Sequence, residues 1–287
     1  MTDWPYGIST GCFYKTPFEE SLRYIRDGGF TLIEVCSYPE HLDCHNLKQV
    51  AEAANAVDRM GIEPFSLHAP FADNIDIASL DREVRKHSIR EMMVACEAAA
   101  TLGARQIVVH PGPEKEGRPV SSEWYDRSHN AADSLNQVAE RCRELGIYLL
   151  LENMLPHLMF GHICDMLFLL GSINNTMLGT CLDTGHAYLS GDLHTVVHKL
   201  SGHLKMIHAN DNRGDRDDHL PPGDGDIDWQ ALIHQLRHYR FQGTIILELN
   251  GNGTPDEIMD GARRSRKYLR QLCRKAEMFD QEWGKNR

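Results

Sequence analysis

The chain has 287 residues, 41% of them hydrophobic and 25% charged, with a formal net charge of −11. Such a composition builds a full globular core, and its acidic balance argues against a general nucleic-acid binder, which needs a basic face to neutralise phosphates. No apolar stretch approaches the roughly 18 residues that span a bilayer, so no membrane partner is expected.

The opening "MTDWPYGIST" lacks the basic-then-apolar layout of a secretion signal, which points to a cytoplasmic protein. Eight cysteines, at 12, 36, 44, 96, 142, 164, 181 and 273, include no CxxC pair. They read as reduced, mostly buried thiols rather than a disulfide framework or a Cys-rich zinc site.

Short runs rich in Val, Ile and Leu recur along the chain. In order they predict strands at "YGIST" (6–10), "LIEV" (32–35), "PFSLH" (64–68), "QIVVH" (106–110), "YLLLEN" (148–153), "LGTCLD" (178–183), "KMIHAN" (205–210) and "TIILEL" (244–249). Helical patterns separate them, from "PFEESLRYIRDGG" after the first strand to "PDEIMDGARRSRKYLRQLCRK" after the eighth, and most end in Gly. The strands are continuously apolar, as parallel strands covered on both faces are. Eight such units close into a (β/α)8 barrel, a fold of about 250 residues. An open doubly wound sheet would carry a GxGxxG after its first strand, and "STGCFYK" supplies none. The expectation is one TIM-barrel domain over 1–287, with the barrel at about 6–275 and a C-terminal tail at 276–287. The basic run "RRSRKYLRQLCRK" reads as the solvated face of the last helix.

Barrel chemistry sits at the C-terminal strand ends. There the chain places His68, His110, Glu152, Asp183, His208 and Glu248. Each alone has an ordinary structural explanation, and an Asp before a helix, like Asp183, is usually a cap. Together they converge on one mouth, where burying six unpartnered polar groups would be costly unless a cation were bound among them. His186 lies three residues past Asp183. Asp217 and His219 form an Asp-x-His pair in "DRDDHLPPGDGDIDW", with Asp218 as the nearest decoy. Asp211, Asp215, Asp224, Asp226 and Asp228 in that loop read as mostly solvated or capping.

"SLHAPF", "VVHPGP", "LLLENM", "CLDTGHA", "MIHANDN", "DDHLPPGDGDIDW" and "IILELN" resemble the motif series of the xylose-isomerase-like TIM-barrel superfamily, which includes apurinic-site DNA endonucleases and sugar isomerases and epimerases. The resemblance spans about 7–250 and implies a divalent-metal barrel. By resemblance to the endonuclease branch, nine residues would hold three zinc ions. Glu152 would bridge two of them, with His68 and His110 completing the first site and Asp183, His208 and Glu248 the second. His186, Asp217 and His219 would hold the third. The isomerase branch needs only Glu152, Asp183, His208 and Glu248 around one manganese, magnesium or cobalt ion.

Three divalent ions against four carboxylates leave a net charge of +2, which suits an anionic phosphate. One ion among three carboxylates leaves −1, which suits a neutral sugar whose C–H proton a glutamate removes. The histidine-rich ligand set favours zinc. Because His186, Asp217 and His219 are dispensable to a one-metal isomerase, the expected function is a multinuclear, zinc-type hydrolase of a small phosphodiester- or amide-containing substrate, with Glu152 and Glu248 catalytic. The alternative is a single-metal sugar or sugar-phosphate isomerase or epimerase. An apurinic-site endonuclease and a non-catalytic metal-containing binding protein rank below both.

The partner expected is a small molecule, anionic or polyhydroxylated, with nucleic acid disfavoured and a homodimer as the assembly. His186, Arg213, Arg216 and Phe71 are the substrate-binding candidates. The endonuclease-like series offers no basic loop near the strand ends, and ketose 3-epimerases of this superfamily carry a Glu where Leu158 stands. Trp4, Phe13, Tyr14, Phe71 and Trp124 are candidates for an apolar wall. Lys15 and Arg118 are candidate anion contacts. Glu34 would either contact substrate or pair with a nearby Lys or Arg, and "HLDCH" (41–45) reads as structural.

Overall fold

A computed structural model describes residues 4–72, 74–114, 117 and 119–285, and the side chains among them through 278. Strands β1 (Tyr6–Ser9), β2 (Leu32–Cys36), β3 (Glu63–His68), β4 (Gln106–Val109), β5 (Tyr148–Glu152), β6 (Leu178–Asp183), β7 (Leu204–Ala209) and β8 (Thr244–Leu247) form a closed barrel in sequence order. Every pairing is parallel, and β8 returns to β1 through Tyr6↔Ile245 and Ile8↔Leu247. The expected fold is therefore the one observed.

Outside the barrel lie α1 (Phe18–Asp27), α2 (Leu47–Arg59), α3 (Arg82–Leu102), α4 (Ser121–Leu145), α5 (Ile163–Ser172), α6 (Thr184–Leu189), α7 (Leu193–Leu200), α8 (Trp229–His238) and α9 (Pro255–Lys285). Gly103 and Gly146 end α3 and α4 in the left-handed conformation, at φ 79° and 71°, where a side chain would be strained. Helix α9 continues through Lys285, so 276–285 prolong the last helix.

Two apolar layers organise the barrel. Leu149, Leu151, Leu182, Ile207 and Leu247 point outward into the large core shared with the helices. Val108, Leu150, Cys181, Met206 and Ile246 fill the barrel interior. Side chains alternate along a strand, so the residue two positions past each interior residue also faces inward, one layer nearer the mouth. Those residues are His110, Glu152, Asp183, His208 and Glu248. A register shift at Ile33/Glu34 lets Glu34 pair with Ser66, and His68 then lies beside Cys36 in the same upper layer. The period-2 pattern that packs the barrel thus builds the site.

Candidate metal centre

Glu152, at the end of β5, occupies the centre of the upper layer and is 1% exposed. Its Oε2 lies 3.2 Å from His68 Nε2 and 3.3 Å from His110 Nε2, and its Oε1 lies 3.3 Å from His208 Nδ1. The same His208 Nδ1 lies 3.2 Å from Glu248 Oε2. Deeper in the turn after β6, Asp183 caps α6 by accepting from His186 N at 2.7 Å, and its Oδ2 accepts from Asn210 Nδ2 at 2.5 Å. Asp183 is therefore a helix cap and a cluster member at once. Gly185 permits this turn, because a Cβ there would stand 2.1 Å from Asn210 Oδ1.

The loop-borne residues close over the same mouth. Asp217 Oδ2 sits 3.3 Å from His186 Nε2 and 3.1 Å from His219 Nε2. His219 has φ 47°, an uncommon value for a non-glycine residue. It is held there by the contact of its Nδ1 with Glu248 O at 2.9 Å and by Asn250 N donating to its carbonyl at 2.9 Å.

Each of these imidazoles is oriented from its far nitrogen. A carbonyl oxygen only accepts, so His68 Nδ1 beside Ala69 O (2.9 Å), His186 Nδ1 beside Asn153 O (2.8 Å) and His219 Nδ1 beside Glu248 O each carry the proton. Nε2 of each ring then faces a carboxylate of the cluster, Glu152 for His68 and Asp217 for His186 and His219. His208 is reversed: its Nε2 lies 3.1 Å from buried Glu34, leaving Nδ1 for the cluster. Orienting the far nitrogen in this way fixes ring position and raises ligand basicity.

The electrostatics favour bound positive charge. Burial alone would lower the His110 pKa, but the Glu152 and Glu114 carboxylates push it up to about 10. For His186 burial is likewise overcome, by Asp183 and then Asp217, to about 9. Glu152 is driven well below the usual carboxylate range, because His208 and His110 outweigh its burial. Burial instead raises Glu248, against His208 and His219. In the metal-free chain, protons on imidazoles stand in for cations.

Do the donors fit a divalent ion? Three sets place one ligand atom each within 4.8 Å of the others: His68, Glu152 and His208; Asp183, His186 and His219; and Glu152, Asp183, His208 and Glu248. His208 Nδ1 and Asp217 Oδ1 are buried without a hydrogen-bond partner. His208 Nδ1 has two carboxylates in reach yet makes a hydrogen bond to neither, as expected of groups aimed at a shared ion. Mixed imidazole–carboxylate donors in a buried site suit a divalent cation of the zinc or manganese type.

A cavity of about 290 Å³ opens above these groups, with Tyr14, Tyr38, Phe71, Leu155 and Leu249 among its walls and Asn250 and Asn252 on its lining. Phe71 packs edge-on to His68 at 5.1 Å, and Tyr38 edge-on to Phe71 at 5.6 Å. Lys15 stands at the exposed rim, its Nζ 3.1 Å from Asn252 Oδ1.

Several sequence expectations are corrected. Arg213 and Arg216 do not line the cavity. Arg213 donates to the Asp224 carbonyl at 3.3 Å, and Arg216 pairs with Asp218 at 2.8 Å on the exposed loop. Glu34 meets neither cavity nor Lys or Arg, but accepts from Ser66 Oγ and faces His208. Asp211, expected in solvent or at a cap, is fully buried and accepts from Gly223 N, Ile227 N and Trp229 Nε1, which folds the loop that carries Asp217 and His219. Asp228 caps α8 and Asp224 pairs with Arg264. Trp4 packs on Phe241 before β8, at the opposite barrel end, and Phe13 is core. Trp124 packs on Phe168 outside the barrel, and Arg118 lies outside the described residues. In "HLDCH", His41 and Cys44 are buried and His45 pairs with Glu91, all apart from the cavity.

Three contributors escaped the sequence reading. Glu114, in the loop after β4, contacts His110 Nδ1 and lines the cavity. Asn153 exchanges hydrogen bonds with the Asp183 backbone at 2.9 and 3.0 Å, locking the ends of β5 and β6 together. Tyr38 extends the aromatic wall. Asn153 follows Glu152 directly, so its place beside the strand end was the one available signal.

Residues 22–272 match the family model of the xylose isomerase-like TIM barrel. The chain belongs to that family. It is 31% identical over 257 residues to the uncharacterized protein MJ1311 of Methanocaldococcus jannaschii, covering 86% of this chain and 84% of that one. It is 31% identical over 205 residues to the probable endonuclease 4 of Mycobacterium ulcerans, covering 68% and 76%. Among solved structures it superposes on a D-tagatose 3-epimerase-like protein with a TM-score of 0.83 at 26% identity, over 96% of this chain and 98% of that one. This family member therefore shares its barrel with relatives of both the endonuclease and the epimerase kind. No helix among the described residues is long and apolar enough to cross a membrane.

Proposed function

We propose that the protein is a divalent-metal-dependent hydrolase with more than one metal position, acting on a small phosphodiester- or amide-containing substrate. The observation that carries this reading is the inward turn of His186, Asp217 and His219, whose contacts at 3.1 and 3.3 Å add a third donor group to the strand-borne ones. A one-metal sugar enzyme of this superfamily needs only Glu152, Asp183, His208 and Glu248 around its ion, so this additional group favours a further metal position. His68, His110 and Glu152 would hold one ion, Glu152, Asp183, His208 and Glu248 a second, and His186, Asp217 and His219 a third. Divalent ions held by these residues would supply water activation and charge neutralisation at the scissile group.

The chain's own groups do the rest. Glu248, whose Oε2 lies 3.2 Å from His208 Nδ1 on the cavity lining, would help hold the second ion and face the substrate above it. Glu152, kept ionised, anchors three imidazoles at once. Phe71, Tyr38 and Leu155 present an apolar wall that excludes water from one side. A cavity of about 290 Å³ is at the small end for ligand sites, which favours a compact substrate over a duplex bent across the surface.

One observation favours a second reading, a sugar epimerase. Glu152 and Glu248 flank the same His208 nitrogen at 3.3 and 3.2 Å, so two carboxylates could face opposite sides of one carbon and exchange its proton. The deciding experiment assays metal-replete protein against a chromogenic phosphodiester, an abasic-site duplex and a panel of ketohexoses. Cleavage of the phosphodiester supports hydrolysis. Interconversion of ketohexoses with no cleavage assigns the second reading instead.

A further inference from the structure

We infer that Glu114 is a positioning residue that fixes the His110 ring, so that occupancy of the first metal position depends on the loop after β4. The inference rests on the metal reading above. Five imidazoles face the cluster, and four are anchored by atoms of the barrel frame. His68, His186 and His219 are held at the carbonyls of Ala69, Asn153 and Glu248, and His208 at the fully buried Glu34. His110 is the exception. Its Nδ1 contacts Glu114 Oε1, four residues along in a surface loop, while its Nε2 faces Glu152 at 3.3 Å.

The Glu114 side chain is 30% exposed, against 0% for Glu34. A carboxylate free to seek water gains nothing by approaching a cavity that already holds Glu152, Asp217 and Glu248 unless a partner compensates for the repulsion. His110 is that partner. The loop is bent to deliver it: Gly112 lies so close to Phe160 that a Cβ would stand 2.9 Å from its ring. Glu114 also lines the cavity, so the group that orients this ligand is exposed to whatever occupies the pocket. The carboxylate accepts the His110 Nδ1–H and leaves the Nε2 lone pair for the ion.

Zinc titration of chelator-stripped wild-type, Glu114→Gln and Glu114→Ala proteins, in competition with a chromophoric chelator, tests this. Gln keeps an oxygen that accepts from His110, whereas Ala keeps none. Losing such an orienting group typically weakens metal binding about 10- to 100-fold, so Ala should weaken one equivalent by that much while Gln stays within about threefold of wild type. An Ala variant that binds like wild type overturns the inference, as does a Gln variant as weak as Ala. Long-range 1H–15N spectra of zinc-loaded wild type give a reading that needs no variant. A proton on Nδ1 with zinc at Nε2 of His110 is expected, and the reverse tautomer overturns the role given to Glu114. Wild-type protein that takes up no zinc fails the metal reading itself, whereas normal uptake with an unaffected Ala variant fails only the inference.

Discussion

His208 Nε2 and the Glu34 carboxylate meet 3.1 Å apart in the barrel interior, both side chains wholly shielded from solvent. The pair turns His208 so that Nδ1 faces Glu152 and Glu248. Replacing Glu34 by Ala strands a buried N–H donor, which costs about 1–3 kcal/mol. Thermal melts of metal-free Glu34→Ala should show that loss, and zinc titration should show roughly 10- to 100-fold weaker binding. Unchanged melts and affinity would remove Glu34 from the site.

The stability of the metal-free protein should fall at alkaline pH. His110 and His186 are raised in the fold to about 10 and about 9, above the ordinary imidazole value of about 6.5. A raised folded value gives stability that is fully present below the unfolded pKa and lost as pH rises through the folded one. The expected window of loss is therefore pH 6.5 to 10, read by urea unfolding in the presence of chelator. A flat profile there contradicts the charged-imidazole description.

Metal uptake at pH 7 should release protons, because the same imidazoles must lose theirs to bind. Calorimetric titration in two buffers of different ionisation enthalpy measures the number displaced. Uptake without proton release would place the ions elsewhere.

His219→Ala should remove one metal equivalent and leave the strand-borne sites loaded, since His219 contributes through Asp217 and its own ring and is hydrogen-bonded to Glu248 only at the backbone carbonyl, while the Glu248 carboxylate stays beside His208. A multinuclear hydrolase loses most of its turnover with it, and a one-metal epimerase little. Elemental analysis beside the substrate panel reads both consequences.

Gly185→Ala should destabilise the fold by about 1–3 kcal/mol, the usual cost of overpacking a filled interior. The added Cβ would meet Oδ1 of Asn210, whose amide nitrogen donates to Asp183. Melts at neutral pH check it.

The barrel and the inward places of His110, Glu152, Asp183, His208 and Glu248 were readable because one periodicity sets both, whereas His186, Asp217 and His219 entered as ligands only by family resemblance. Alternation along β4 through β8 packs Val108, Leu150, Cys181, Met206 and Ile246 inside and leaves the next inward position for a ligand. Loop residues carry no such period. Arg213 and Arg216 had the right chemistry and the wrong direction, and Asp211 looked like one more solvated acid until the loop folded around it. Glu114 was hidden for the same reason: its meeting with His110 depends on how the chain turns at Gly112, and local sequence does not state the direction of that turn.

Anomalous scattering at the zinc edge, from crystals grown with excess zinc, locates any ion these residues hold. More than one peak is expected inside the ring formed by the nine donors, with one touching Glu152 and another between His186 and His219. A metal-replete crystal with no anomalous peak within that ring would rule out a metal centre at these residues.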